Sequence, residues 1–286
     1  MNIDEIISRA LEEDIGNGDH TSLATIPPEA KGKSKLLIKE EGILAGVNIA
    51  RKVYSQLDPG VLFEIMISDG SPVKPGDIAF YVSGSSRSIL SGERLALNFM
   101  QRMSGIASAT SRIVRLVEGT GVKILDTRKT TPLLRELEKA SVRLGGGENH
   151  RMGLYDMIMI KDNHVDFAGG ISNAIKAVNS YLGAKMAGEL KIKNEKLKIE
   201  IEVRNFRELE EVLNFGGVDR IMLDNFTVAD LSKAVKLING RYETEASGGI
   251  NIDNIRQFAV TGVDYISVGA LTHHIQSLDM SLKAVL

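Results

Sequence analysis

Apolar residues at helical spacing open the chain. They run from Ile3 to Leu11 and predict an amphipathic helix. Asn2 and Glu5 stand where a capping box would begin it.

Alternating apolar and polar positions follow in residues 33–46, 61–68 and 77–84 and predict strands, with a helical pattern at 49–57. A helix between strands does not establish parallel pairing, so this part is predicted to be α+β. A second helical face runs from Gly92 to Glu118, where a Gly-Thr-Gly turn ends it. We expect Gly105 to kink this helix.

Beyond Gly121 short apolar runs alternate with helical patterns. Six candidate strands are present, with the sequences VKILD, DMIMI, KIEIEV, RIMLD, TEAS and YISVG. Apolar strands of this kind are typical of parallel sheets covered on both faces. An α/β barrel with missing strands and an open doubly wound sheet both fit the pattern.

Polar residues and glycines follow each of these strands, which favours the barrel. In a barrel the carboxyl ends of the strands converge on one face, where the active site lies. The strand-end residues include Asp126, Arg128, Lys129, Lys161, Glu202, Asp224, Ser247, Gly248, Gly249, Gly269 and Ala270. Loops are polar in general, and this alone could explain any one of the clusters. It explains less well why a Lys, a Glu and an Asp stand at successive strand ends.

Composition narrows the classes of function. The 286 residues are 43% hydrophobic and 25% charged, with a formal net charge of −2, so nothing indicates nucleic-acid binding. The absence of cysteine excludes disulfides, thiolate metal sites and cysteine nucleophiles. The acidic amino terminus is unlike a signal peptide and no apolar run is long enough to span a membrane, so we expect a cytoplasmic protein.

Cations are concentrated around the predicted strand ends. Besides Arg128, Lys129 and Lys161, they include Arg94, Arg102, His150, Arg151 and His164. Lys161 directly follows an apolar run, and a half-buried lysine needs an anionic partner. The pattern therefore predicts a ligand with several negative charges.

The acidic residues and glycines complete the expected chemistry. Glu200 and Glu202 share a face of one strand, and carboxylates near phosphates commonly hold Mg²⁺. For Glu200, pairing with an Arg or Lys on a neighbouring strand is an equally good interpretation. Glycine turns after late strands suit phosphate. The residues alone thus indicate a metal-assisted enzyme acting on a phosphate-bearing ligand and a second anion.

Seven segments occur in a specific order over nearly the whole chain. They are EDIGNGDHTS, GERLALNFMQRMSGIAS, DTRKTTPLLRELEKASVRLGGGENHRMGLYDMIMIKDNH, IEIEV, IMLDNF, EASGGIN and DYISVGALTH. Together they resemble the quinolinate phosphoribosyltransferase family. The resemblance implies the synthesis of nicotinate mononucleotide, pyrophosphate and CO₂ from quinolinate and phosphoribosyl pyrophosphate with Mg²⁺, in de novo NAD biosynthesis.

The resemblance also implies an architecture. It consists of an N-terminal α+β domain at 1–112, joined by the tail at 271–286, and an incomplete, seven-stranded α/β barrel at 113–270. A homodimer is implied, in which Arg94 reaches the neighbouring subunit's site.

Residue roles follow from matching positions. Quinolinate contacts are expected at Arg94, Arg128, His150, Arg151 and Lys161. Lys129, Glu202 and Asp224 are the expected catalytic residues and also bind phosphoribosyl pyrophosphate, with the two acids near Mg²⁺, directly or through water. The expected phosphate-binding residues are Ser247, Gly248, Gly249, Gly269 and Ala270. The lysine-rich segment at 185–198 is less typical of the family and is predicted to be a solvated loop and helix face.

Three other functions remain open at this point. A nicotinate phosphoribosyltransferase shares the architecture but acts on a monocarboxylate, for which fewer cations would suffice. A relative encoded in molybdenum operons resembles the family, and a non-catalytic sensor of a phosphate ligand would not need the acidic pair.

Overall fold

The computed structural model describes residues 2–186 and 197–285. They form two units, one of residues 1–112, 130–147 and 271–286, the other of residues 113–129 and 148–270. None of the described helices has the length and apolar character that crossing a membrane requires. Ten residues of the lysine-rich segment, 187–196, lie outside the described part of the chain.

Helices and strands alternate along most of the chain. The helices are α1 (Ile3–Ile15), α2 (His20–Thr25), α3 (Val47–Leu57), α4 (Ser86–Leu116), α5 (Arg135–Leu144), α6 (Asp162–Ala168), α7 (Ile171–Met186), α8 (Phe206–Phe215), α9 (Val228–Ile238), α10 (Ile255–Ala259) and α11 (Ala270–His273). The strands are β1 (Lys31–Ile38), β2 (Gly42–Ile43), β3 (Leu62–Ile65), β4 (Pro72–Val73), β5 (Ile78–Ser85), β6 (Lys123–Leu125), β7 (Ile158–Ile160), β8 (Ile199–Val203), β9 (Arg220–Asp224), β10 (Glu243–Ser247), β11 (Tyr265–Ser267) and β12 (Met280–Ala284).

The first unit is built on an antiparallel sheet of order β12-β1-β5-β3. Alternation along β1 directs Leu36 and Ile38 into the core while its lysines face outward. The buried ring of Tyr54 from α3 joins this core. The predicted capping box of α1 is confirmed, because Asn2 and Glu5 each accept the other's backbone N–H.

Helix α4 begins six residues before the predicted start at Gly92. Gly92 is an interior position at which the helix packs on Tyr54, since an added Cβ would lie 2.7 Å from the Tyr54 ring. Gly105 likewise permits a close approach, because an added Cβ would lie 2.2 Å from the backbone oxygen of Gln276. These glycines therefore serve packing and do not mark a helix end.

The second unit contains a parallel sheet of order β6-β11-β10-β9-β8-β7, and the six strands are those predicted from the sequence. From β7 to β11 neighbours in the sheet are also neighbours in sequence, and β6 follows β11. A doubly wound sheet would reverse direction at a switch point. One parallel bridge, between Leu125 and Glu148, lies beyond the β6 edge.

The two faces of this sheet differ in chemistry. Ile201, Ile221 and Leu223 lie on the apolar face and are buried. In-register neighbours of parallel strands share a face and side chains alternate along each strand, so the opposite face carries every second residue of β8, β9 and β10. These residues are Glu200, Glu202, Arg220, Met222, Asp224, Glu243, Glu245 and Ser247. Seven of the eight are polar, and this face holds the candidate site.

The close approach at Gly105 predicts a packing defect in Gly105→Ala. We expect the free energy of unfolding to fall by about 1–3 kcal/mol, because backbone must move to admit the methyl group. Urea titration measures the change. Gly183→Ala is the matched control, since an added Cβ there meets nothing within 4 Å and alanine favours the helix. Equal stability of Gly105→Ala and the wild-type chain would contradict the packing interpretation.

Candidate active site

The carboxyl ends of the parallel strands bring most of the predicted site residues onto one unit. Asp224 and Ser247 are in-register neighbours at the ends of β9 and β10. Glu202 lies on the same face of β8, opposite Met222. The polar positions after these strands are partly helix caps, because Asn205 caps α8 and Thr227 caps α9.

Asp126 anchors the loop that carries His150 and Arg151. Its buried carboxylate accepts a hydrogen bond from the Asn149 side chain and one of 2.9 Å from the His150 backbone N–H. The charge-assisted bonds fix this loop to the end of β6. The sequence placed Asp126 among the strand-end residues but did not indicate this role.

Arg128 and Arg151 form a pair of neighbouring cations. Burial, together with the charge of Arg128, lowers the pKa of the Arg151 guanidinium. Arg151 donates one hydrogen bond of 3.2 Å to the backbone oxygen of Met157. Nε of Arg128 is buried, and it meets no acceptor in the described part of the chain. Two like charges with an unsatisfied buried donor favour an anion between them.

Lys161 finds the anionic partner that its position required. Its Nζ lies 3.1 Å from Oε2 of the buried Glu202, whereas the lysine side chain is 44% exposed. The backbone N–H of Lys161 donates to Nδ1 of His164, which holds the start of α6. Because this ion pair is open to solvent on the lysine side, Lys161 can contact a ligand while it remains paired with Glu202.

A tight packing of two turns places Asp224 beside the glycines. Gly248 and Gly249 have φ of 94° and 63°. A Cβ on Gly248 would lie 2.2 Å from Oδ1 of Asn225, so a larger residue cannot be accommodated without a shift. The side-chain amide of Asn225 donates a hydrogen bond of 2.6 Å to the Asp224 carboxylate. The turn thus leaves Ser247, Gly248 and Asp224 together at the carboxyl end of the sheet.

The remaining predicted residues of this unit lie at neighbouring strand ends. Lys129 is exposed, and its backbone N–H donates a hydrogen bond of 3.0 Å to the side-chain hydroxyl of Thr127. Gly269 and Ala270 follow β11, and α11 begins at Ala270. The predicted residues of this unit therefore share the carboxyl end of the sheet.

Two arginines from the predicted cation set belong to the first unit. Arg94 is exposed on α4. Arg102 is bound to Glu138 at 2.6 Å and to Thr131 at 2.6 Å, within the same unit. The interpretation of Arg102 as a pocket cation is not supported by these contacts, because its guanidinium bonds are directed to structural partners.

A buried cluster of charged residues beneath the strand ends was largely missed. His150 Nε2 lies 3.1 Å from Glu200 and 3.4 Å from Glu245, and Arg220 lies 3.1 Å from Glu245. The alternative that Glu200 is matched by a neighbouring-strand cation is borne out, because Arg220 approaches it at 4.0 Å. Glu245 was the missed residue. The available signal was a glutamate two positions before Ser247, inside a predicted strand.

Burial and mutual charge shift the pKa values of this cluster. Burial and the Glu245 carboxylate raise the pKa of Glu200 to about 7. Burial alone would lower the pKa of His150, but the two carboxylates outweigh it and raise the pKa to about 9. Burial opposes ionisation of Glu245, yet His150, Ser267 and Arg220 outweigh burial and lower its pKa.

At neutral pH the cluster therefore holds one extra proton, on either the imidazole or Glu200. The Arg151 backbone N–H donates a hydrogen bond of 2.7 Å to Nδ1 of His150. Because Nδ1 accepts this bond, it carries no proton, which favours a neutral ring and a protonated Glu200. Both arrangements have the same net charge. The cluster is thus balanced against Arg220 without a further ion.

Two groups of residues could be considered for a metal. His150, Glu200 and Glu245 place ligand atoms within 4.8 Å of one another. Arg220 already supplies a cation to both carboxylates there. Glu202 and Asp224 instead offer hard carboxylate oxygens at adjacent strand ends, the ligand type that Mg²⁺ prefers. The donor chemistry thus fits Mg²⁺ at the second pair.

A cation-lined strand end on a parallel α/β sheet is typical of an enzyme for an anionic small molecule. Models of the quinolinate phosphoribosyl transferase N-terminal and C-terminal domains match residues 19–104 and 106–283. The chain belongs to this family.

Named relatives extend over the full chain. The chloroplastic carboxylating nicotinate-nucleotide pyrophosphorylase of Oryza sativa subsp. japonica is 44% identical, covering 97% of this chain and 76% of the relative. A probable carboxylating nicotinate-nucleotide pyrophosphorylase of Bacillus subtilis (strain 168) is 41% identical, covering 100% and 94%. The crystal structure of NadC from Streptococcus pyogenes is 38% identical with a TM-score of 0.90, covering 99% of this chain and 97% of that chain.

The raised pKa values predict a loss of stability in alkaline solution. A raised folded pKa contributes stability below the unfolded pKa and loses it as the pH rises through the folded value. We therefore expect the free energy of unfolding to fall as the pH rises from about 7 to about 9. Urea titrations across this range measure the slope.

His150→Gln should flatten this slope. The same substitution at the exposed His20 should retain it. The explanation is wrong if His150→Gln and the wild-type chain lose stability in parallel over this range.

Proposed function

We propose that the chain transfers phosphoribosyl from phosphoribosyl pyrophosphate to quinolinate with decarboxylation, giving nicotinate mononucleotide, pyrophosphate and CO₂. The observation that carries the proposal is the Arg128–Arg151 pair, because the buried Nε of Arg128 needs an acceptor. Family membership and the carboxylating relatives support the same reaction. The product places the enzyme in de novo NAD biosynthesis.

Quinolinate would be held by its two carboxylates. Arg128 and Arg151 suit one carboxylate, because a guanidinium binds a carboxylate through two parallel hydrogen bonds. Lys161 offers a further cation on the exposed side of its pair with Glu202. His150 completes the set from the loop anchored by Asp126.

Phosphoribosyl pyrophosphate would occupy the strand ends beside quinolinate. We assign the ribose and Mg²⁺ to Glu202 and Asp224, and the space between the substrates to Lys129. Backbone N–H groups at Ser247, Gly248, Gly249, Gly269 and Ala270 would bind phosphate. Mg²⁺ bound to the pyrophosphate would neutralise part of the charge on the leaving group.

The chain's own residues act by positioning and by charge. The pyridine nitrogen of quinolinate attacks the anomeric carbon as the bond to pyrophosphate breaks. Arg128, Arg151 and Lys161 hold the acceptor in line, and Lys129 stabilises the departing anion. The carboxylate beside the pyridinium nitrogen then leaves as CO₂, the positive nitrogen stabilises the electron pair left on the ring carbon, and a proton from solvent completes nicotinate mononucleotide. No covalent protein intermediate is required.

We further propose that the parallel sheet is the wall of an incomplete α/β barrel. The cyclic strand order and the charged inner face support it. The Leu125–Glu148 bridge would be the remnant of a seventh strand. The domains would be 1–112 with the tail 271–286, and 113–270. The cytoplasmic location stays a prediction.

The rival activities make different demands. Nicotinate carries one carboxylate, so it leaves part of the cation set unused. The 41–44% identity to carboxylating enzymes over nearly the whole chain favours quinolinate. The relative from molybdenum operons and the sensor remain alternatives, and turnover distinguishes them.

The arginine pair predicts the substrate. With quinolinate, phosphoribosyl pyrophosphate and Mg²⁺, we expect equimolar CO₂ and nicotinate mononucleotide, with no product from nicotinate and none when Mg²⁺ is chelated. Arg128→Ala and Arg151→Ala should each lower kcat/KM for quinolinate by roughly 100-fold or more, because a charge-assisted bidentate contact is lost.

Arg207→Ala is the control, since Arg207 is exposed on α8 and belongs to no proposed contact. Near-normal kinetics of both arginine variants would refute the quinolinate assignment. Turnover of nicotinate alone would leave the phosphoribosyl site standing and refute the dicarboxylate role.

A homodimer with Arg94 acting across the interface is a separate proposal, supported by family membership and by the exposed position of Arg94 on α4. We expect Arg94→Ala and Arg128→Ala to be inactive alone and to regain activity when unfolded and refolded together. About a quarter of the wild-type sites should be restored, because half of a random mixture is heterodimer with one intact site. No recovery in a mixture shown to contain heterodimers would place Arg94 outside the partner's site.

A further inference from the structure

Three strands and a loop bring together a charged cluster, and His150 is the member of it that has a proposed substrate contact. Glu200, Arg220 and Glu245 come from β8, β9 and β10, one residue per strand. The in-register pair Glu200–Arg220 places the first two side by side. Both glutamates are fully buried, so their charges must be satisfied within the protein.

Two basic side chains approach the same oxygen atoms of the two carboxylates. Oε2 of Glu200 and Oε2 of Glu245 lie 3.1 and 3.4 Å from Nε2 of His150. Nη1 of Arg220 lies 3.1 Å from Oε2 of Glu245 and 4.0 Å from Oε2 of Glu200. Arg220 is itself fixed by Glu243 at 3.0 Å and lies over the Tyr265 ring at 3.9 Å. The arginine therefore holds in place the two carboxylates that face the imidazole.

His150 is consequently restrained at three points. Its Nε2 faces the two carboxylates, its Nδ1 accepts from the Arg151 backbone N–H, and its own N–H donates to Asp126. A ring fixed in this way leaves little rotational freedom to the His150–Arg151 peptide. The backbone from which the Arg151 side chain extends is therefore fixed, and this directs its guanidinium toward the substrate carboxylate.

The same three donors resemble a metal site, but their surroundings do not. Arg220 already contacts Oε2 of Glu245 and lies 4.0 Å from Oε2 of Glu200, the same two atoms that face His150. A divalent ion added to this cluster would face the arginine charge at close range. The observed contacts thus favour a closed ion network.

We propose that Glu200 and Glu245, neutralised by Arg220, are positioning residues that orient His150 and Arg151 for quinolinate, an inference that rests on the proposed function. They act only through His150 and touch no reacting atom. Removing one charge should loosen the quinolinate side of the site and leave the phosphoribosyl side intact.

Glu245→Gln tests this inference because it keeps the shape of the side chain and removes its charge. We expect KM for quinolinate to rise roughly 10-fold, with kcat and KM for phosphoribosyl pyrophosphate near the wild-type values. The NMR signal of the His150 ring should also shift, because one of the two carboxylates that face Nε2 loses its charge. Glu243→Gln is the matched control, since Glu243 also contacts Arg220 but makes no contact with His150 in the described structure.

The outcomes are separable. If the wild-type chain does not turn over quinolinate, the proposed function fails first. If it does, and Glu245→Gln behaves like Glu243→Gln in KM and in the His150 signal, the inference is wrong. Stoichiometric metal in the wild-type chain that is lost in Glu245→Gln would also overturn it. Should Glu245→Gln not fold, Glu245→Asp, which keeps the charge and withdraws it from His150, measured in the same way decides the question.

Discussion

The neutralisation of charge on the inner face of a parallel sheet is the constraint on which the second unit depends. An isolated ion in a protein interior is strongly unfavourable, so each buried carboxylate must meet a cation. Arg220 supplies a cation in the sheet interior and Lys161 supplies one at the strand ends, while the proton shared by His150 and Glu200 neutralises a further charge. Because protein contacts balance the deeper acids, the cations nearer the strand ends stay available to a ligand. Structural and functional charges thus occupy one face at different depths.

The strands of the second unit could be predicted because their apolar residues are continuous and their ends are polar. The strand-end residues of this unit could be predicted for the same reason. The resemblance supplied their roles, since spacing alone left two architectures and several ligands open. The start of α4 was predicted wrongly because Gly92 reads locally as a boundary. Only the packing of Tyr54 against that glycine shows why it lies inside a helix.

Glu245 and Asp126 show where sequence patterns stop being informative. Glu245 lies in a short strand that also holds Glu243, Asp126 directly follows β6, and nothing nearby in sequence indicates the partner of either. The partners of Glu245 lie on β9, on β11 and in the loop after Gly147, and those of Asp126 lie in the same loop. Such long-range pairs depend on register between strands, which periodicity does not encode. Arg102 shows the converse, because a cation close to a motif is bound to a structural glutamate.

The pairing of β12 with β1 means that the antiparallel sheet of the first unit cannot be completed until the end of synthesis. Roughly 240 residues separate these two strands, and the whole second unit is translated between them. At typical translation speeds this interval is about 10 to 50 s. During that time β1 presents an unpaired edge on the nascent chain, a surface that favours wrong pairing. Chaperone contact with the emerging chain would therefore matter most before the last strand is made.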